Sequence, residues 1–160
     1  MNEIDIMKEV DHQYIMKLVE LHESKNSIYL VLELLEGGEL FNHISSKKQL
    51  SIKAVVRIMS CLLQSLAYLQ EKGIMHRDLK PENMILKEKG DLENCTLKLV
   101  DFGLSTFCDM NEYLFKRCGT PGYVAPEIIN SSSKENKKFS PKVDVFSAGI
   151  ILYILSLIHI

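Results

Sequence analysis

His76-Arg77-Asp78-Leu79-Lys80-Pro81-Glu82-Asn83 is the stretch that decides how this chain is read, and Asp101-Phe102-Gly103 follows it across one polar turn. Together they supply a carboxylate, a cation and two further oxygen donors. Magnesium is a hard ion that takes oxygen ligands, so the Asp101 carboxylate and the Asn83 amide carbonyl suit it. Asp78 is left to accept a hydroxyl proton and orient that hydroxyl, while Lys80 can neutralise a phosphate being moved. Phosphoryl transfer needs little else. Its loose transition state spreads charge over peripheral oxygens and is helped mainly by positioning and electrostatics.

Either string alone carries little, since Asp-Phe-Gly is a common turn and His-Arg-Asp could be a surface ion cluster. A third string, Gly119-Thr120-Pro121-Gly122-Tyr123-Val124-Ala125-Pro126-Glu127, comes next in order. Three such strings in fixed order leave a purely structural origin very little room. In this set of motifs the chain resembles the eukaryotic protein kinases. The resemblance implies ATP and Mg2+ as cofactors, Asp78 and Lys80 as catalytic residues, and Asn83 and Asp101 as metal ligands. Those are the same four roles that the residues suggest unaided. Lys80, just after the base, and Thr120, whose hydroxyl can bond both Asp78 and Lys80, resemble serine/threonine rather than tyrosine kinases.

The chain has 160 residues, 46% of them hydrophobic, with 19 Lys+Arg against 21 Asp+Glu. That suits one soluble globular unit and offers no basic excess for nucleic acid, while the kinase resemblance implies protein substrates bearing serine or threonine. Cys61, Cys95, Cys108 and Cys118 show no C-x-x-C spacing, so neither a zinc site nor a disulfide framework is expected. Reduced thiols and the lack of a signal-peptide pattern point to a cytoplasmic or nuclear protein that is not secreted. Residues 148–158 are nearly all apolar but fall short of the ~20 residues that cross a bilayer. A buried helix, not a membrane span, is expected there. Leu155-Ser156-Leu157-Ile158-His159-Ile160 reads as the translation of a sequencing-library adaptor end, so residues 155–160 are expected to be a non-native tail.

Hydrophobic periodicity predicts a helix over 2–9 with Ile4, Met7 and Val10 on one face, and a strand over 27–35. The glycines of Glu36-Gly37-Gly38-Glu39 permit a bend into a short helix from Glu39. The cleanest helix is 51–72. Its apolar stripe is Ile52, Val55, Val56, Met59, Leu62, Leu63, Leu66 and Leu69, with Ser51 as N-cap and Gly73 as stop. Strands over 84–87 and 96–100, joined by a turn containing Gly90-Asp91, put Asn83 and Asp101 at converging ends of one hairpin. Residues 130–138, rich in serine and lysine, read as a solvated loop.

The kinase resemblance implies an α+β fold. Residues 1–35 would be a partial small lobe (helix C, strands four and five) with the hinge from about Glu33, and residues 36–154 a large lobe through helix F. It makes Glu3 the helix-C glutamate that pairs with a phosphate-holding lysine absent from this sequence. Leu32 becomes the gatekeeper, the Glu33 carbonyl and Leu35 amide the adenine contacts, and Ile85 the floor beneath the base. Glu39 would meet the ribose or, with Glu82, an arginine upstream of the acceptor. Thr120 would face the substrate. Phe102 and Gly103 complete the metal motif, Glu127 is an ion-pair residue without its usual arginine in this sequence, and Asp144 is the helix-F aspartate that binds the catalytic loop. Phe146 replaces the family's tryptophan.

Arg77 usually pairs with a phosphothreonine whose position here is Lys116. Asp109 or Glu112 is expected to supply a counter-charge, the alternative being modification of Ser105, Thr106 or Tyr113. Gly37–Phe41 and Asp101–Ser105 resemble the calcium/calmodulin-dependent group, whose calcium-sensor modules would lie outside these residues. With no Gly-rich loop in the sequence, the 160 residues alone are expected to be inactive. The alternative to an active parent kinase is a pseudokinase or scaffold that only binds. The intact Asp78, Lys80, Asn83 and Asp101 speak against it.

Overall fold

The computed structural model describes residues 2–46, 49–110, 117–131 and 138–157. Helix α1 (Asn2–Glu9) buries Ile6 and Met7, with Val10 just beyond it. Ile4, expected on this face, is only half-buried, because the helix turns its Ile6–Val10 edge toward the core. Strands β1 (Leu18–Glu23) and β2 (Ile28–Leu32) form an antiparallel pair in which Leu21 faces Leu30. The strand expected to reach residue 35 ends at Leu32, and residues 33–38 continue without regular secondary structure, bending at Gly37.

Residues 36–38 lie along β4 (Met84–Leu86) through backbone bonds. The Glu36 amide donates to the Lys87 carbonyl at 3.0 Å, Gly37 to Leu86 at 2.9 Å, and Leu86 to Gly38 at 2.9 Å. A Cβ on Gly37 would stand 2.4 Å from both the Glu88 carbonyl oxygen and the Leu86 Cβ. Gly37→Ala is therefore expected to destabilise the chain by about 1–3 kcal/mol, as overpacking does. Denaturant unfolding checks this, and an unchanged midpoint would show that the segment shifts freely.

Helix α2 (Leu40–Ser46) leads to α3 (Ile52–Glu71), around which the main core is built. The Ser51 hydroxyl accepts from the Ala54 amide at 3.1 Å, and Gly73, at φ +67°, ends the helix. Of the expected stripe, Val55, Met59, Leu62, Leu66 and Leu69 are buried. Ile52, Val56 and Leu63 are 74%, 61% and 49% exposed, forming a second row that flanks the buried one. Among the described residues α3 is the one helix long and apolar enough to span a bilayer, and half of it is buried in this core.

A two-residue strand β3 (Ile74–Met75), a 3-10 turn (Pro81–Asn83), β4 and β5 (Leu97–Leu99) follow, with β4 and β5 paired as expected. β3 pairs with β6 (Thr106–Phe107), a link not legible in the sequence because each partner is two residues long. Short helix α4 (Pro126–Ile129) precedes α5 (Lys142–Leu157). Ala148, Ile151 and Leu155 of α5 are buried in the same core as α3. Helix α5 runs through Leu157, and its apolar spacing carries Leu155 into the core while Ser156 and Leu157 are exposed.

Candidate active site

The loop after β3 is held from below. Asp144, in the first turn of α5, is 2% exposed, and its two oxygens accept from the amides of His76 at 2.7 Å and Arg77 at 2.8 Å. Burial pushes its carboxyl pKa up, against the pull of the His76 ring and of the two amides. Arg77, φ +67°, and Asp101, φ +64°, sit in the left-handed region that non-glycine residues rarely adopt. Such conformations cost of order 1–3 kcal/mol and persist only where the surroundings over-determine them. Asp144 does so at Arg77. His76 is fully buried, with Nε2 3.1 Å from the Val100 carbonyl and Nδ1 accepting from the Asp78 amide at 3.3 Å. Burial lowers its pKa, in keeping with a neutral ring of fixed tautomer edge-on to Phe102.

Asp78 gathers the side chains. The Thr120 hydroxyl donates to its Oδ1 at 2.6 Å, Lys80 Nζ lies 3.0 Å from its Oδ2, and Asn83 Nδ2 donates to Oδ2 at 3.1 Å. Lys80 Nζ also donates to the Thr120 hydroxyl at 2.9 Å, so the expected Asp78–Thr120–Lys80 triangle is present. Burial works to raise the Asp78 pKa, but the bonds from Thr120, Lys80 and Asn83 outweigh it and hold the carboxyl below its ordinary value.

Asn83 Nδ2 is committed to Asp78, bonding its carbonyl at 2.9 Å as well, so its Oδ1 is the acceptor left over. The Val100 amide donates to the Asn83 carbonyl at 3.0 Å, which continues the β4–β5 ladder and makes Asp101 the next residue. Asp101 is exposed, and its Oδ1 accepts from the Gly103 amide at 3.1 Å. An amide oxygen and a carboxylate at neighbouring hairpin ends form a donor set that fits magnesium, which keeps several of its waters. Glu3 reaches the same place: a Cβ on Gly103 would stand 3.9 Å from its Oε2 and 3.1 Å from Asp101 Oδ1. Among the described residues Glu3 has no ion pair.

On the other side, the Glu33 amide donates to the Lys17 carbonyl at 3.0 Å, while the Glu33 carbonyl and Leu35 amide have no backbone partner among the described residues. Ile85 is half-buried and bridges to Glu39. Leu32 packs against the core. Glu82 Oε2 is the one buried side-chain oxygen without a hydrogen bond among the described residues, and the Glu82 charge helps to raise the Tyr123 pKa after burial. Glu127 starts α4 without an ion pair among the described residues, and Phe146 is 40% exposed.

The expectations for the activation segment fare less well. Arg77 Nε donates to the Leu104 carbonyl at 2.7 Å, and no ion pair joins Arg77 to Asp109. Asp109 is exposed on the surface, where its carbonyl accepts from Lys138. Ser105 and Thr106 are 2% and 1% exposed, with the Ser105 hydroxyl donating to the His76 carbonyl, so neither presents a hydroxyl for modification. Glu112, Tyr113 and Lys116 lie outside the described residues.

Two contributions escaped the sequence reading. The Glu33 side chain turns inward to an ion pair with Lys98 of β5, and Lys98 Nζ also donates to the Ile15 carbonyl at 3.2 Å. The strand that leads to Asp101 is thereby tied to the hinge. Ser147, one turn after Asp144, donates to the Tyr123 carbonyl at 2.7 Å, so one face of α5 holds both the catalytic loop and the acceptor loop. The signal for Ser147 was its position three residues after Asp144; Lys98 gave none, because its partner is distant in sequence.

This combination of fold and motif geometry is that of a protein kinase, and the protein kinase domain family matches residues 1–159: the chain belongs to that family. It is 49% identical over 153 residues to a probable myosin light chain kinase of Dictyostelium discoideum, covering 96% of this chain and 48% of that protein. A probable serine/threonine-protein kinase of the same organism is 42% identical over 155 residues, covering 97% of this chain and 25% of the relative. Calcium-dependent protein kinase 5 of Plasmodium berghei is 41% identical over 153 residues, covering 96% and 26%. The chain thus spans half or less of these relatives. The likeness read from residues 37–41 and 101–105 agrees with the calcium-dependent kinases among them.

Proposed function

We propose that the protein carrying this chain is an ATP-dependent serine/threonine protein kinase and that these residues are its catalytic loop, metal ligands and acceptor loop. Asp78 accepts the hydroxyl proton of the acceptor, Lys80 stabilises the transferred phosphoryl group, and Thr120 keeps the acceptor loop beside both. Asn83 Oδ1 and Asp101 are the residues that would hold magnesium, which when bound neutralises charge on the nucleotide phosphates. Residues 1–35 and 36–154 form the two sides of the nucleotide cleft, with the Glu33 carbonyl and Leu35 amide facing adenine, Ile85 below it and Glu39 toward the ribose. Glu3 positions the phosphates through a lysine that these 160 residues do not contain, and the 160 residues alone do not turn over.

The observation that carries the reading is the cluster of Thr120, Lys80 and Asn83 around one ionised Asp78. The unpartnered Glu82 oxygen supports a preference for substrates with an arginine upstream of the acceptor. Calcium control, if the likeness to calcium-dependent kinases extends to regulation, lies outside this chain. The test is phosphate transfer from Mg-ATP by the full-length protein to a peptide library, with sites read by mass spectrometry. Phosphate on serine and threonine is expected; transfer confined to tyrosine, or none by a protein that binds ATP, overturns the proposal.

A further inference from the structure

Helix α2 reaches back to the segment from which it grows. His43, half-buried on α2, has Nε2 2.7 Å from the Gly37 carbonyl. A carbonyl oxygen only accepts, so Nε2 carries the proton and donates it. The same nitrogen would lie 3.8 Å from a Cβ on Gly38, so the ring covers the turn that Gly38 makes at φ +80°. The other side of this turn is fixed by β4: the Gly37 amide donates to the Leu86 carbonyl, and the Leu86 amide to the Gly38 carbonyl, each at 2.9 Å. Gly37 is thus gripped through its N–H by β4 and through its C=O by His43.

Glu39 follows two residues on. Its backbone bridges to Ile85, and its exposed carboxylate accepts from Asn42 Nδ2 at 3.4 Å. A long side chain with so little support takes its direction from its backbone. We propose that His43 is a positioning residue for the nucleotide: its bond to the Gly37 carbonyl holds the 37–39 turn so that Glu39 is presented to the ribose. The inference rests on the nucleotide-cleft reading above. His43 touches no substrate and acts through Glu39.

The test uses full-length protein with Mg-ATP and Mg-dATP, which differ only in one ribose hydroxyl. Binding is measured by calorimetry, and transfer to a single peptide by steady-state kinetics. The wild type should hold ATP about two- to tenfold more tightly than dATP, the range that one hydrogen bond supplies. H43F keeps a ring without the donor, and H43N stops the amide short of Gly37. Both should bring the ratio toward one and raise KM for ATP more than they lower kcat. H43Q, whose amide nitrogen can stand where Nε2 does, should restore the ratio. A merely structural role would change the melting temperature in these variants and leave the ratio alone. A preference for ATP in binding without transfer, lost in H43F and H43N, would uphold His43 and sink the kinase reading. Failure to bind either nucleotide, a wild-type ratio near one, or a ratio unmoved in H43F and H43N overturns the inference.

Discussion

Asp78→Asn is expected to lower the phosphotransfer kcat proposed for the full-length protein by about 10²- to 10⁴-fold, the usual contribution of a positioned general base. The substitution keeps the shape but removes the charge on which Thr120, Lys80 and Asn83 converge. It also sets an amide N–H₂ against groups that are themselves donors. Steady-state kinetics on the purified variant check this, and retention of more than about a tenth of the activity would take the base role from Asp78. The pH profile gives an independent reading. With its pKa held below the ordinary carboxylate value, Asp78 stays ionised throughout the neutral range. The acid limb of kcat/KM that belongs to it should fall below that ordinary value, and a limb near neutrality would belong to another group. The same sign applies to folding. A depressed carboxylate pKa contributes stability above the unfolded value that is lost as pH falls through the folded one.

Asp144→Asn should produce the largest loss of stability, about 2–4 kcal/mol, because it removes charge-assisted hydrogen bonds and leaves a buried backbone donor without an acceptor. One oxygen can serve only one of the His76 and Arg77 amides, and the new N–H₂ faces the other. At roughly 2–4 °C per kcal/mol for a chain of this size, the melting temperature should fall by about 10 °C. Ser147→Ala, which loses a single bond to the Tyr123 carbonyl, is expected to cost only about 0.5–1.5 kcal/mol. Thermal unfolding followed by circular dichroism separates the two. Equal effects would mean that Asp144 is not the anchor of the catalytic loop. The Asp144 pKa is raised by burial, so the carboxylate costs energy to hold ionised there; its place is explained by the two amides and by the strained Arg77 backbone it secures.

Helix α3 was legible as a helix because its period and both its ends are local signals. Which of its apolar residues are core was not, since Ile52, Val56 and Leu63 share the composition of the stripe but are exposed. The β4–β5 hairpin was legible from alternation and turn residues, and with it the neighbourhood of Asn83 and Asp101. Of the two counter-charges expected for Arg77, Glu112 lies outside the described residues, and Asp109 shows that proximity along the chain is not contact: the segment turns it to the surface.

Sequence by itself determined the reactive groups, their order and the local elements that carry them, because residue type, helical period and turn chemistry act over a few neighbouring residues. The tertiary structure decided what those groups meet. Thr120 reaches Asp78 across 42 positions, Asp144 reaches His76 across 68, and Lys98 reaches Glu33 across 65. Such pairs form only when packing of the shared core brings distant segments together, and nothing in either segment alone encodes the distance between them.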